Sequence, residues 1–161
     1  MGHHYTPSDG LTILPASPEH VPIIQSMVDV AYSKYIPRMG QLPAPMVADY
    51  NEILNTLDVY VLQTADQEVV GSVVLSLNTS ARSLQVQNLV VDPAAQGRGY
   101  GRILMSHAEQ VARQHSFTTI TLYTNVKMYE NLQLYAKLGF VESDRRTEHG
   151  YDRVYFRKDL S

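Results

Sequence analysis

The chain has 161 residues, 44% apolar and 18% charged, with a formal net charge of −3. That profile fits one globular domain able to bury a core; it excludes a disordered chain and offers no basic face for nucleic acid. With no cysteine, disulfides and thiolate metal sites are excluded, and with no long apolar run a membrane span is not expected.

Residues 1–10 read as an N-terminal extension without a signal-peptide core. His3 and His4 are set aside as a cloning remnant, and 11–161 reads as a single domain. Together with the missing cysteine, this gives a cytoplasmic expectation. Leu11–Leu14 is the first strand. Ser17 is placed to N-cap a helix with Pro18 at its first position, running to about Tyr35 with Val21, Ile24, Val28 and Ala31 on one face. Ile36–Pro45 contains Pro37, Gly40, Pro43 and Pro45, so it reads as a loop or a broken helix, and Met46–Thr56 as a second helix.

Three strands follow at Asp58–Thr64, Val69–Leu77 and Ser83–Val91, separated by turn residues. A glycine-rich stretch leads into a helix from about Gly101 to Gln114, with Leu104, Ala108 and Val111 as its buried stripe. Thr118–Thr124 is a strand. Met128–Leu138 is a short helix ended by Gly139. Phe140–Arg145 and Arg153–Arg157 are the last strands, with Gly150 in the turn between them. The order is β-α-α-β-β-β-α-β-α-β-β, an α/β chain of the α+β type with a mixed sheet. Leu84–Thr124 should be a parallel, right-handed crossover.

The stretch Gln96-Gly97-Arg98-Gly99-Tyr100-Gly101-Arg102 sits between an apolar strand and a helix start. Glycine tolerates positive φ and lets a ligand approach the backbone. A helix N-terminus adds unpaired N–H groups and a positive dipole end, so the stretch can cradle a phosphate. A flexible turn with no ligand explains the glycines as well. The Walker and dinucleotide glycine patterns are both absent. His107 and His115 have no further ligand nearby in the pattern, so no metal is expected.

Two motifs resolve the choice. Gln96-x-x-Gly99-x-Gly101 follows Leu89-Val90-Val91 and Asp92-Pro93. Downstream stands Asn131-Leu132-Gln133-Leu134-Tyr135-Ala136-Lys137-Leu138-Gly139-Phe140. The pair resembles the coenzyme A loop and the later L-Y-x-K-x-G-F element of the GCN5-related N-acetyltransferases. The resemblance covers the chain from about Leu11 onward. It implies a GNAT-like sheet with splayed central strands and acetyl-coenzyme A as co-substrate. The pantetheine arm would pair with the backbone of Leu89, Val90 and Val91, as an added strand does. The pyrophosphate would rest on the N–H groups of Gln96, Gly97, Arg98, Gly99, Tyr100 and Gly101, helped by Arg102.

The resemblance also gives Tyr135 the role of acid toward the departing thiolate, and places Asn131, one turn earlier, at the cofactor. A packing role for Tyr135 stays open, since the chain has eleven tyrosines. Many relatives carry a glutamate base on the strand before the loop, whereas Leu84-Gln85-Val86-Gln87-Asn88 holds no acidic residue. A water relayed by Gln87 or Asn88, or an amine arriving neutral, would serve; Tyr123, Glu130 and His149 are weaker candidates. The acceptor side is expected from Tyr32–Tyr50, with Tyr32, Tyr35, Arg38, Asp49 and Tyr50, and from the Arg145–Tyr151 hairpin.

The expected activity is transfer of an acetyl group to a primary amine of a small molecule in a ternary complex. No cysteinyl acyl-enzyme can form. A non-catalytic acyl-coenzyme A sensor and a peptide or protein N-acetyltransferase are the alternatives. The resemblance adds a homodimer; no nucleic acid or membrane partner is expected.

Overall fold

The computed structural model describes residues 10–160. His3, His4 and the rest of residues 1–9 lie outside the described residues. The chain forms two compact units, one from the chain through Leu75 with Asn88–His107, the other from Ser76–Gln87 with Ala108 onward. Strand hydrogen bonding gives a seven-stranded mixed sheet in the order β1-β2-β3-β4-β5-β7-β6. Among the described residues no helix is long and apolar enough to cross a membrane.

The first unit holds β1 (Thr12–Pro15), β2 (Asp58–Gln63) and most of β3 (Val69–Asn78) as antiparallel neighbours. Val69–Leu75 are all buried, so β3 is covered on both faces, as its continuous apolar run requires. Gly71 is needed there. A Cβ at that position would meet Leu104 Cδ1 at 3.0 Å and the Val90 carbonyl oxygen at 3.2 Å.

The two helical regions expected between the first two strands are present; the second is broken in two, and the stretch Ile36–Pro45, expected as a loop or a broken helix, holds most of a short separate helix. The expected Pro18–Tyr35 helix begins as a 3-10 turn, Pro18–His20, where the Ser17 N–H donates to His20 Nδ1 at 3.0 Å. It continues as α1 (Val21–Tyr32), stops at Ser33–Lys34, and resumes as α2 (Tyr35–Met39), which ends on Gly40 at φ +73°. Of the expected face, Val21, Ile24 and Val28 are buried, joined by Met27 and Tyr32, while Ala31 is only half-buried. The expected Met46–Thr56 helix is instead α3 (Ala44–Val47) and α4 (Tyr50–Thr56), parted by extended backbone at Ala48. The break follows from Asp49, whose carboxylate accepts from the N–H groups of Asn51 and Glu52 and so starts a new helix.

The second unit contains β5 (Thr119–Asn125), α6 (Tyr129–Lys137), β6 (Val141–Glu148) and β7 (Tyr151–Asp159). Leu122, Val154 and Phe156 alternate onto its core face. The last two strands run further than the sequence implies because His149 and Gly150, at φ +53° and +82°, close a two-residue hairpin turn. Edge strand β6 is exposed and charged along Glu142–Arg146, with a register shift at Glu142/Asp144, features that discourage pairing with another chain. β4 (Ser83–Val91) pairs with β5 in parallel, as the crossover expectation requires. The ladder joins Ser83–Val86 to Thr119–Leu122, so residues 87–91 lie outside it.

Candidate functional site

In the first unit the chain leaves β4 at Val91 and turns at Asp92, whose carboxylate accepts from the Ala94 N–H at 3.0 Å. A 3-10 turn, Pro93–Ala95, leads to Gln96, and α5 (Tyr100–Gln114) begins one residue earlier than expected. Val90 is buried; Leu89 and Val91 are half-buried. Gln96, Gly97, Arg98, Gly99 and Arg102 are exposed, and Tyr100 and Gly101 partly so.

Gly97 and Gly99 hold φ +84° and +80°, with open space where a Cβ would stand. The first helical bond reaching back to this loop is Ile103 N–H to the Gly99 carbonyl at 3.2 Å. The N–H groups of the first turn precede it and have no intrahelical acceptor. Backbone donors, a helix N-terminus and two arginines make a donor set suited to a pyrophosphate.

Gly101 differs from its neighbours. Its φ is not positive, and a Cβ there would meet only Leu89 Cδ2 at 3.9 Å. Gly99→Ala is therefore expected to cost about 1–2 kcal/mol of conformational strain. It should weaken acetyl-coenzyme A binding about tenfold by calorimetry, while Gly101→Ala leaves both stability and binding near wild type. Equal effects of the two would mean that loop conformation does not govern binding.

Beside β4, three side chains distant in sequence meet. The Tyr32 hydroxyl donates to Asn88 Oδ1 at 3.1 Å and lies 3.5 Å from the Leu89 carbonyl oxygen. Asn88 Nδ2 donates to the Tyr50 hydroxyl at 3.1 Å, which donates to the Pro45 carbonyl at 2.9 Å. Burial, and then the charge of Asp29, push the Tyr50 phenol well above its ordinary range, against the hydrogen bond from Asn88. Tyr35 is buried at 5.8 Å from the Tyr32 ring, with the Arg38 guanidinium 5.1 Å from its own centroid. Of the expected acceptor residues, Tyr32, Tyr35, Arg38 and, through Asn88, Tyr50 thus gather together. Asp49 instead serves as the cap of α4.

In the second unit, Tyr135 is 8% exposed, with its ring 6.1 Å from Phe140 and 6.0 Å from Phe156. Its position is set by the end of α6. The Phe140 N–H returns to the Tyr135 carbonyl at 3.0 Å and the Gly139 N–H to the Ala136 carbonyl at 3.2 Å, with Gly139 at φ +93°. This is a Schellman cap with its hydrophobic contact. The tyrosine, glycine and phenylalanine of the downstream motif are therefore one structural device. Lys158 Nζ reinforces it, donating to the Leu138 carbonyl at 3.0 Å and to Glu109 at 2.9 Å. Asn131 Nδ2 donates to Thr124 Oγ1 at 3.3 Å, tying α6 to β5.

Gln87 is exposed and donates to Gln85 at 2.7 Å, on the strand face opposite Asn88. His149 occupies the exposed hairpin tip, a place explained by its turn geometry. A cluster that the sequence reading named only in part, without Tyr155, lies on β5, β6 and β7. Arg153 stacks 4.4 Å over Tyr123 and pairs with Glu148 at 3.3 Å, and the Tyr155 hydroxyl donates to the same carboxylate. The hydrogen bond from Tyr155 depresses the Glu148 pKa, while burial and then that bond raise the Tyr155 phenol. The alternation Tyr151, Arg153, Tyr155 on one strand face was its sequence signal.

The mixed sheet and the glycine loop match the scaffold that the two sequence motifs imply. A family model described as "Acetyltransferase (GNAT) family" matches residues 26–140, and the chain belongs to that family. It is accordingly an acetyl-coenzyme A-dependent acetyltransferase. Solved structures agree on the fold. A GNAT family acetyltransferase from Elizabethkingia anophelis with acetyl-CoA bound is 20% identical, with TM-score 0.73 and coverage of 95% of this chain and 100% of that one. The ribosomal-protein-S18-alanine N-acetyltransferase from Escherichia coli is 16% identical, with TM-score 0.74 and 94% of each chain covered. A point mutant of spermidine N-acetyltransferase SpeG from Vibrio cholerae is 19% identical, with TM-score 0.73 and coverage of 94% of this chain and 95% of that one. No curated protein sequence matches the chain significantly.

Proposed function

We propose that the chain, through a single acetyltransferase domain at 11–161, moves an acetyl group from acetyl-coenzyme A to a primary amine of a small molecule. Transfer is direct, within a ternary complex, in a cytoplasmic homodimer. The observation that carries the reading is the loop from Gly97 to Gly101, with two open, positive-φ glycines leading into a helix N-terminus. In this reading the loop N–H groups hold the pyrophosphate, the backbone of Leu89–Val91 holds the pantetheine arm, and Tyr135 protonates the departing thiolate. The named activity of the Vibrio cholerae neighbour on spermidine supports a small amine as acceptor. A peptide acceptor is the second reading, supported by the named activity of the Escherichia coli neighbour.

A thermal unfolding titration with acetyl-coenzyme A tests the cofactor half. At a hundredfold over Kd, binding adds about 2.7 kcal/mol, which raises the midpoint by roughly 5–10 °C for a domain of this size. ATP should have little effect. An amine and peptide panel then tests the acceptor half, reading released coenzyme A with a thiol reagent; the chain has no cysteine to interfere. No thermal rise would overturn the cofactor assignment, and turnover of peptides alone would reverse the acceptor class.

A further inference from the structure

In the second unit, Ser83–Gln87 of β4 lies beside β5, β7 and β6, and the two faces of this sheet differ. Opposed residues of neighbouring strands share a face. Gln85 stands opposite Thr121, Thr121 opposite Arg157, Tyr123 opposite Tyr155, and Arg153 opposite Arg146. The other face is core: Leu84, Val86, Ile120, Leu122, Val154 and Phe156 are buried, and the Phe156 ring lies 6.0 Å from Tyr135 of α6. On the first face Thr121, Tyr123, Arg153 and Tyr155 are half-exposed, and Val141, opposite Arg157, is 68% exposed.

This open face is unlike ordinary solvated sheet. Lys158, the one lysine of these strands, turns to the core side, toward Glu109 and the Leu138 carbonyl. The charges of the open face cancel within it. Arg146 pairs with Asp144 at 2.7 Å, Arg153 with Glu148 at 3.3 Å and Arg157 with Asp159 at 3.1 Å. Two of these guanidinium groups also lie on rings, Arg146 4.6 Å from the Tyr155 centroid and Arg153 4.4 Å from that of Tyr123. Tyrosine and arginine are enriched, and lysine depleted, where proteins meet. A two-fold axis sets one surface against itself, so that surface must not repel its own copy. The chain as a whole carries −3, yet its three arginines here are matched by three carboxylates. A strongly acidic or basic partner would find no opposite charge on such a face, whereas a second copy meets no repulsion.

We propose that this face, centred on Tyr123 and Tyr155, is the surface on which a second copy of the chain docks across a two-fold axis. This rests on the homodimer reading above and gives that dimer its contact. The edge of the same sheet, β6, is charged and shifted in register, so the copy meets the face and does not extend the sheet.

Sedimentation velocity over a series of protein concentrations measures the dimer Kd of wild type and of Tyr123→Ala, Thr121→Lys and Val47→Lys. Tyr123→Ala removes the central ring and should raise that Kd about 30-fold or more, the loss of one hot-spot side chain. Thr121→Lys, between Gln85 and Arg157, brings like charges together across the axis and should leave a monomer where wild type is dimeric. Val47→Lys puts the same charge on an exposed valine of α3 and should leave the Kd within about twofold. Should Tyr123→Ala fail to fold, Thr121→Lys decides by the same criterion. A dimer unmoved by both face variants, or weakened equally by Val47→Lys, overturns the face and leaves the homodimer standing. An intact dimer in which Tyr123→Ala raises only the acceptor KM also overturns it, and gives the face to the acceptor. Wild type that is monomeric at every concentration sinks the homodimer and its surface together, while the thermal titration with acetyl-coenzyme A still decides the cofactor assignment.

Discussion

Tyr135→Phe is expected to lower kcat for amine acetylation about 100-fold, equal to about 2.7 kcal/mol of barrier, with the acetyl-coenzyme A affinity unchanged. The expelled thiolate needs a proton, and the proposed donor is the phenol. Phenylalanine deletes only that group. The ring stays in its seat against Phe140 and Phe156, and the Schellman cap, made by backbone, is untouched. The folding midpoint should accordingly shift by only a few degrees, which separates loss of the proton donor from loss of the helix end. Tyr135→Ala would not separate them, because emptying a buried aromatic site costs about 3–5 kcal/mol. Single-turnover rates with the best amine make the measurement. A Phe variant as fast as wild type would leave Tyr135 as a packing residue at the end of α6.

Leu104→Ala should destabilise the fold by about 2–5 kcal/mol, since Leu104 is fully buried on the helix that carries the glycine loop. Its neighbour sharpens the prediction. A methyl group at position 71 would meet Leu104 Cδ1 at 3.0 Å and the Val90 carbonyl at 3.2 Å, so Gly71→Ala alone should cost about 1–3 kcal/mol. In the double variant the leucine branch is gone and the new methyl fills part of the hole. The two losses should therefore fall short of their sum by about 1 kcal/mol in denaturant titrations. Strict additivity would mean that the methyl is opposed by the Val90 backbone, and that α5 does not set the spacing at β3.

Much of this was legible in residue order. Alternation gave the strands and their turns, whereas the burial of both faces of β3 over Val69–Leu75 came only with the structure. Gly139 after an amphipathic stretch marked a helix end, and the open glycines between strand and helix marked the loop. These signals are local, because φ preference, hydrogen bonding over four residues and side-chain period all act within a few positions. The break at Ala48 was also readable: Asp49 followed three residues later by Glu52 is a helix-start signal. It was hidden by the apolar residues on either side. The break at Ser33–Lys34 left no such mark.

The meeting of Tyr32, Tyr50 and Asn88 belongs to another level. Each residue has an ordinary local reason to be where it is, on a helix end, a helix start and a strand. No period or turn rule relates positions 56 and 38 residues apart. Local preference placed the loop, the strands and the helix ends because their energies are local. Which phenol faces which amide, and in which direction their protons point, was fixed by packing of those elements and by one backbone carbonyl at Pro45.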